Sequence, residues 1–272
     1  MCQFFSLISD GKGKAYWFDA KIRKQILMGE VDYTLDGHTS IADYFGFKGR
    51  GEDRINKYEY NPLLKTFQIN QLNTTDDSKQ IKKFCKKLDF RTIVPELVVK
   101  PIMHPFQKNR KRVTQKDIEL LKKWALVRNS DWDSIENSIW NSIGDSVGIL
   151  ARASVTNSVW DSVWASVQDS IRDSVQDSVE DSVKNSIWDS VWDSVGAYTF
   201  SFFKFPRKKN PFQPCIDLWE RGLLPSFDGE IWRLHGGKKG KILWEDKLNE
   251  QYDAHIRGSI NNEKKEDKKT KA

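Results

Sequence analysis

Cys2 is the residue whose type and position most directly suggest chemistry, because it follows the initiator methionine. Removal of Met1 would leave the Cys2 thiol beside a free α-amine that can act as its base, which is how an N-terminal nucleophile is activated. The alternative is an ordinary buried or edge-strand cysteine. The sequence therefore offers Cys2 as a candidate nucleophile and leaves both interpretations open.

A second candidate centres on His38. Asp36, Thr39 and Ser40 lie within two positions of it, so a carboxylate, an imidazole and two hydroxyls could form an acid–base cluster. Polar residues directly ahead of Ile41 are also typical of a capped helix start. The other histidines have no carboxylate or cysteine at ligand spacing, so the sequence predicts no metal site and no cofactor.

The start of the chain resembles that of class II glutamine amidotransferases and of proteins that crosslink abasic DNA, which begin Met-Cys and use the cysteine as nucleophile. The segment Gly37-His38-Thr39 is similar to the amidotransferase Gly-His-Thr-Arg segment. Two positions depart from these families, because Gln3 stands where they usually have Gly and Ser40 stands where the substrate-binding Arg would be. The resemblance implies a hydrolase or amidotransferase that uses Cys2.

Two basic runs could bind phosphate groups. They consist of Lys108, Arg110, Lys111 and Arg112, and of Arg207, Lys208 and Lys209. Such charge is what contact with a nucleic-acid backbone requires, but basic linkers are common and no nucleic-acid-binding motif accompanies the runs. The sequence GGKKGK, from Gly236 to Lys241, lacks the spacing of a phosphate-binding P-loop and predicts a hairpin turn. Nucleic acid is therefore one partner that the sequence allows.

Charge is segregated along the 272-residue chain. Residues 133–196 carry eleven acidic and three basic side chains, a net charge of −8, whereas residues 1–132 carry +9 and residues 197–272 carry +5. This pattern lets the flanks favour polyanions or the centre favour a basic partner. Three widely spaced cysteines predict neither a disulfide framework nor a zinc site. No run approaches the ~18 apolar residues of a membrane span, so we expect a cytoplasmic protein without a membrane partner.

From Asp133 to Gly196 a tetrad repeats, with Asp, Asn or Ala, then Ser, then Val or Ile, then a variable residue. The variable position includes Trp160, Trp164, Trp188 and Trp192. Aromatic side chains are frequent anchors of protein interfaces, so these four tryptophans are the candidate contacts for a protein partner. Stacking of tryptophans within the array is the alternative.

The period of four bears on the fold of this array. In an α-helix, Val at every fourth position drifts by about 40° per tetrad, and Asp, Ser, Asn and Val are mediocre helix formers. A β-solenoid has no such drift, because each tetrad can form one side of a coil. We therefore expect α+β flanking domains around a tetrapeptide-repeat array that forms a short β-solenoid. Packed short helices are the alternative, and a disordered low-complexity tract is a third.

Local patterns indicate a predicted hairpin over Cys2–Ile8 and Ala15–Phe18, and a helix over Gln115–Val127 with a capping box from Thr114 and Asp117. The predicted parts are an α+β domain over 1–112, a capping helix over 113–130, the array over 131–196, a helix-plus-hairpin module over 197–260 and a charged disordered tail over 261–272.

The layout resembles a group of phage and mobile-element proteins with the same kind of array. The resemblance covers most of the chain and is carried by MCQFFSLISDGKGK, GHTSIADYFG, KYEYNPL, the array, and DLWERGLLPSFDGEIWRLHGGKK. It implies a phage-like source, and hence the cytoplasm of a bacterial host, and adds no activity.

The sequence favours a non-enzymatic interaction or scaffold protein built on the acidic, tryptophan-bearing array. An enzyme that uses Cys2 is one alternative. A nucleic-acid-binding or DNA-mimic protein is another, because solenoids with ordered carboxylates, as in pentapeptide-repeat proteins, can imitate the charge spacing of DNA. No oligomeric state is indicated.

Overall fold

The computed structural model describes residues 5–47, 53–130, 134–139, 141, 149–175, 181–204 and 210–248, and it is a mixed α+β structure with two small antiparallel sheets. The chain forms two compact units, each assembled from three stretches. Unit 1 contains Met1–Met103, Asp133–Trp164 and Thr199–Asn210, and unit 2 contains His104–Trp132, Ala165–Tyr198 and Pro211–Ala272. The tetrad array is thus divided between the units.

Unit 1 is built on a four-stranded antiparallel sheet with the strand order β2-β1-β3-β4. Its strands are β1 (Phe5–Ser9), β2 (Ala15–Tyr16), β3 (Asn56–Asn61) and β4 (Thr66–Gln71). Strand β1 is buried along its whole length and pairs with β2 on one side and with β3 on the other. Strand β1 is therefore an interior strand of the sheet.

Helices accompany this sheet in unit 1, and the core lies between helices and sheet. They are α1 (Ala20–Leu27), α2 (His38–Tyr44), α3 (Ser78–Cys85) and α4 (Phe90–Ile93). Helix α1 begins where the Asp19 carboxylate accepts a hydrogen bond from the Ile22 N–H at 2.9 Å, which satisfies one of the free donors at a helix start. A core cluster is formed by Ile8, Phe18, Ile22, Ile41, Ala42 and Ile55.

Unit 2 combines helices with a three-stranded antiparallel sheet in the order β5-β6-β7. Its elements include α5 (Gln115–Arg128), α8 (Gln213–Glu220), β5 (Leu223–Phe227), β6 (Trp232–Gly236) and β7 (Lys241–Asp246). Helix α8 packs against both α5 and β5. The buried rings of Tyr198 and Trp219 stack on each other, with centroids 4.5 Å apart and planes within 9°.

The tetrad array is helical in the described residues, so the predicted β-solenoid is wrong. Helix α6 runs over Ile149–Val175 and helix α7 over Asp181–Thr199. Residues 134–139 are also helical, and no described residue of the array lies in a strand. At 27 and 19 residues, α6 and α7 are longer than the packed short helices of the alternative.

The helix tolerates a period of four because no unit has to bury a long valine row. In α6, Val155, Val159 and Val163 belong to unit 1, whereas Val167, Ile171 and Val175 belong to unit 2, and all six are at most 2% exposed. Three residues spaced by four turn through only about 80°, which is narrower than the ~100° stripe of an ordinary amphipathic helix. The drift therefore stays within one apolar face in each unit.

The serines of the tetrads also suit the helix, because they bond to its own backbone. The hydroxyls of Ser158, Ser162 and Ser194 donate to the carbonyl oxygens four residues earlier at 2.6, 2.6 and 2.9 Å. Such bonds satisfy a hydroxyl locally, so serines can be buried beside the valine row, as Ser190 and Ser194 are. None of the helices in the described ranges has the length and hydropathy needed to cross a bilayer.

Candidate functional site

Asp36 and His38 have separate partners, although the sequence places them two positions apart. The His38 Nε2–H donates to the backbone carbonyl of Tyr58 at 3.0 Å. Asp36 forms a bidentate ion pair with Arg23, with N–O distances of 2.7 and 3.1 Å, and both side chains are buried. These bonds fix the start of α2. Cys2 lies outside the described residues, so its role as a nucleophile stays a prediction.

Asp77 is a buried carboxylate of unit 1 that holds three segments together. It accepts hydrogen bonds from the hydroxyls of Ser9 and Tyr58, from the Asn56 amide at 3.1 Å and from the Gly13 N–H at 2.8 Å. Burial alone would raise the pKa of Asp77, but these hydrogen bonds outweigh it and hold the pKa below its ordinary value. With four donors bound, the Asp77 carboxylate has a structural role.

The four candidate tryptophans lie in different environments. Trp192 on α7 is 55% exposed, whereas Trp160, Trp164 and Trp188 are half-buried. The ring centroids of Trp160 and Trp164 lie 5.0 Å apart, so these two rings contact each other within unit 1. Trp192 is therefore the most accessible of the four.

The first basic run forms a closely packed loop of unit 2. It follows a short 3₁₀ helix, Pro105–Gln107. A Cβ at Gly222 would lie 2.8 Å from the Lys108 Cβ, and a Cβ at Gly237 would lie 3.2 Å from the Arg110 carbonyl oxygen. Both glycines also have a positive φ, which other residues adopt only with strain. A side chain at either position would therefore be strained and would push the basic loop away.

Asp117 fixes two arginines at this loop. Its buried carboxylate accepts from Arg110 Nη2 at 2.7 Å and from Arg221 Nε, and it closes the capping box with Thr114 at the start of α5. Burial alone would raise the pKa of Asp117, but the hydrogen bonds from Arg221, Thr114 and Arg110 lower it to about 2. The carboxylate is therefore ionised at neutral pH and holds both guanidinium groups.

Five cationic side chains line a cavity of about 440 Å³ beside this ion pair. We call it the arginine cavity, and its charged lining is Lys108, Arg110, Lys111, Arg112 and Arg221. Asn109 and Thr114 complete its described lining, which contains no acidic side chain. The cavity therefore has a strong excess of positive charge next to the single buried carboxylate.

The turn of the β6–β7 hairpin extends this positive charge. Lys238 and Lys239 lie in the turn and Lys241 begins β7, and all three are exposed. They line a second cavity of about 620 Å³, together with Ser170, Asp173, Ser174 and Ile242. The turn adjoins the basic loop, since Gly237 approaches the Arg110 backbone. We call the eight cations the basic surface: Lys108, Arg110, Lys111, Arg112, Arg221, Lys238, Lys239 and Lys241.

The structure thus brings together cationic residues that are far apart in the sequence. Lys108 to Arg112 were candidates because they form a charged run, whereas Lys238, Lys239 and Lys241 were identified only as part of a turn. Arg221 carries no local signal, because its partner Asp117 lies 104 positions earlier. Arg207, Lys208 and Lys209 lie outside the described residues.

In the part of the chain that the structure describes, no group of His, Cys, Asp and Glu could hold a metal ion. Comparisons with protein-family models, with curated proteins and with solved structures give no match.

Proposed function

We propose that this chain is a non-enzymatic interaction protein that binds the phosphate backbone of nucleic acid through the basic surface of unit 2. The observation that carries the proposal is the contact between the basic loop and the hairpin turn, which joins two cationic segments that are distant in sequence. Lysine and arginine side chains supply the sequence-independent part of nucleic-acid binding by neutralising phosphates. Eight such side chains on adjoining segments form a surface suited to that role.

The chemistry of the lining favours phosphates over bases. Neither the arginine cavity nor the cavity at the hairpin turn has an aromatic residue in its described lining. Proteins that grip single strands usually stack bases on aromatic rings, whereas contacts to phosphates position a protein without reading sequence. We therefore expect binding that depends weakly on sequence and strongly on salt.

The test is the salt dependence of binding to a short DNA duplex, measured by fluorescence anisotropy from about 50 to about 200 mM salt. Replacing Lys238, Lys239 and Lys241 together by Gln removes three charges from the basic surface. Each phosphate contact contributes about 0.9 to the magnitude of the negative slope of log K against log salt. Losing three contacts should therefore reduce that magnitude by about 2 to 3.

The matched control replaces three exposed lysines of α3 in unit 1, Lys79, Lys82 and Lys83, by Gln. It makes the same change in net charge away from the basic surface, and it should leave the slope unchanged. Equal slopes for the two triple variants, or no measurable binding at low salt, would contradict the proposal.

A second candidate function is contact with a protein partner through the array, and the 55% exposure of Trp192 favours it. A large aromatic ring on a helix surface is the kind of side chain that anchors interfaces. Replacing Trp192 by Ser should then abolish recovery of a specific partner from the native host, while duplex binding persists. Recovery of the same partner by both proteins would exclude this role for Trp192.

The cytoplasm remains the proposed location, and the buried free thiols of Cys85 and Cys215 support it, because reduced cysteines are usual there. The phage-like source stays a prediction. The DNA-mimic alternative relied on ordered carboxylates along a solenoid, and we do not propose it for a helical array.

A further inference from the structure

We propose that the arginine cavity binds a terminal phosphate group, which carries more negative charge than the phosphodiester of a chain interior. This inference rests on the proposed function, because the arginine cavity is part of the basic surface and the terminal phosphate would be its specific ligand. The same chemistry has two sources, the phosphorylated end of a nucleic-acid strand and a free polyphosphate.

The charge balance of the cavity favours a highly charged anion. Five cations line it, and the buried Asp117 carboxylate offsets one of them, which leaves a net charge of about +4 by formal count. The neighbouring cavity at the hairpin turn has three lysines and Asp173, a formal net charge of +2. A terminal phosphate carries about −1.5 to −2 at neutral pH, against −1 for a phosphodiester. The greater positive excess of the arginine cavity suits the more highly charged group.

The donor geometry of the two arginines also suits a phosphate group. Arg110 uses Nη2 and Arg221 uses Nε to bind Asp117, and a guanidinium has five N–H donors in a rigid plane. Each arginine therefore keeps N–H donors beyond its bond to Asp117. Arginine forks of this kind match the oxygens of a phosphate group in pairs.

Two of the five cations, Arg110 and Arg221, are held in place before any ligand binds. Asp117 is fixed by the helix cap at Thr114 and holds both arginines, while the glycine contacts hold the loop backbone. Prior ordering of long side chains lowers the entropic cost of binding. Asp117 is accordingly a positioning residue, and the cationic side chains make the contacts.

The experiment compares two duplexes of one sequence, with 5′-phosphate or 5′-hydroxyl ends, and adds calorimetry with inorganic tripolyphosphate alone. We expect the 5′-phosphorylated duplex to bind about tenfold more tightly, the size expected for one additional charged hydrogen bond. Arg221→Gln and Arg112→Gln should each remove most of that preference. Arg112 does not bind Asp117 in the structure, so its replacement tests the cavity even where Arg221→Gln disturbs folding. Lys123→Gln, on the exposed side of α5, should keep the preference.

The outcomes separate this inference from the proposed function. Tripolyphosphate binding that Arg112→Gln abolishes, without any end preference, assigns the cavity to a free polyphosphate. The same result without any duplex binding supports the cavity and contradicts the proposed function. Equal affinity for both duplexes and no tripolyphosphate binding overturns the inference, while the salt-dependent duplex binding stands.

Discussion

The Ser226 hydroxyl lies 2.8 Å from Nε2 of His235, and both side chains are completely buried in unit 2. The other ring nitrogen, Nδ1, lies 3.1 Å from the Gly240 carbonyl oxygen, which can only accept a hydrogen bond. In the neutral ring this assigns the proton to Nδ1, which also lies 3.1 Å from the Ser174 hydroxyl, so Nε2 accepts from Ser226. Complete burial disfavours the charged ring, so the fold holds His235 as a neutral imidazole.

The neutral state of His235 predicts a loss of stability in mild acid. Burial lowers the pKa of His235 from 6.5 to about 4. Between about pH 4 and pH 6.5, His235 therefore binds a proton in the unfolded chain but not in the folded protein. Stability is thus fully present above about pH 6.5 and is lost as the pH falls toward 4, with a loss of about 2 kcal/mol by about pH 5.

The measurement is urea unfolding at about pH 7.5 and about pH 5, above the range where carboxylates titrate. Burial also lowers the pKa of His104, which acts in the same direction, so the test is the difference between the wild type and His235→Gln. The variant should lose about 2 kcal/mol less than the wild type over this interval. An identical pH dependence would show that His235 is not a neutral buried group.

Two serines at the same position of the tetrad should respond in opposite ways to replacement by alanine. Ser166 is exposed on α6, and alanine is the better helix former, so Ser166→Ala should stabilise the protein by about 0.5 kcal/mol. Ser190 is buried, donates to the Ile187 carbonyl and accepts from the Phe227 N–H at 2.8 Å. Ser190→Ala should cost about 1 to 2 kcal/mol, because it leaves the Phe227 donor without its acceptor.

Urea denaturation at neutral pH measures both changes. Stabilisation by Ser166→Ala is specific to a helix, since alanine is disfavoured in strands. A loss of stability in both variants would contradict the helical array.

The parts of the fold that could be predicted are those with local causes. The helix over Gln115–Val127 appears as Gln115–Arg128, with the expected Thr114 and Asp117 box, because a capping box is decided within four residues. Strand β5 was not predicted, because it contains Pro225, and proline usually argues against a strand. Among the described residues β5 pairs only with β6, so it is an edge strand, where a missing N–H costs little.

The parts that could not be predicted depend on how distant segments meet. A drift of about 40° per tetrad would exclude a helix only if one partner covered the whole array, whereas each unit buries only three positions of the valine row in α6. At the site, composition located Lys108 to Arg112, but nothing near Arg221 indicates its bond to Asp117. Likewise, only the folded chain shows that Gly237 lies against Arg110.

Replacing Asp117 tests whether one buried carboxylate organises the basic loop. Asp117→Asn keeps the size of the side chain but leaves Arg110 and Arg221 without their anion, so we expect a loss of about 2 kcal/mol at neutral pH. This is less than the 3 to 5 kcal/mol typical of a broken fully buried pair, because both arginines are partly exposed and can be hydrated. Chemical denaturation measures the change, with Glu119→Gln on the exposed face of α5 as the control. Equal stability of the two variants would contradict an organising role for Asp117.

The contact between Gly237 and the Arg110 backbone can be separated from the conformational preference of glycine. Gly237 and Gly29 both have a φ of +71°, so alanine meets the same backbone strain of about 1 kcal/mol at either position. A Cβ at Gly29 has nothing within 4 Å, whereas one at Gly237 lies 3.2 Å from the Arg110 carbonyl oxygen. Gly237→Ala should therefore cost more stability than Gly29→Ala and should also weaken duplex binding severalfold, because it moves the basic loop away from the turn. Gly29→Ala should leave duplex binding unchanged, and equal duplex affinities for the two variants would mean that the close fit of loop and turn does not support binding.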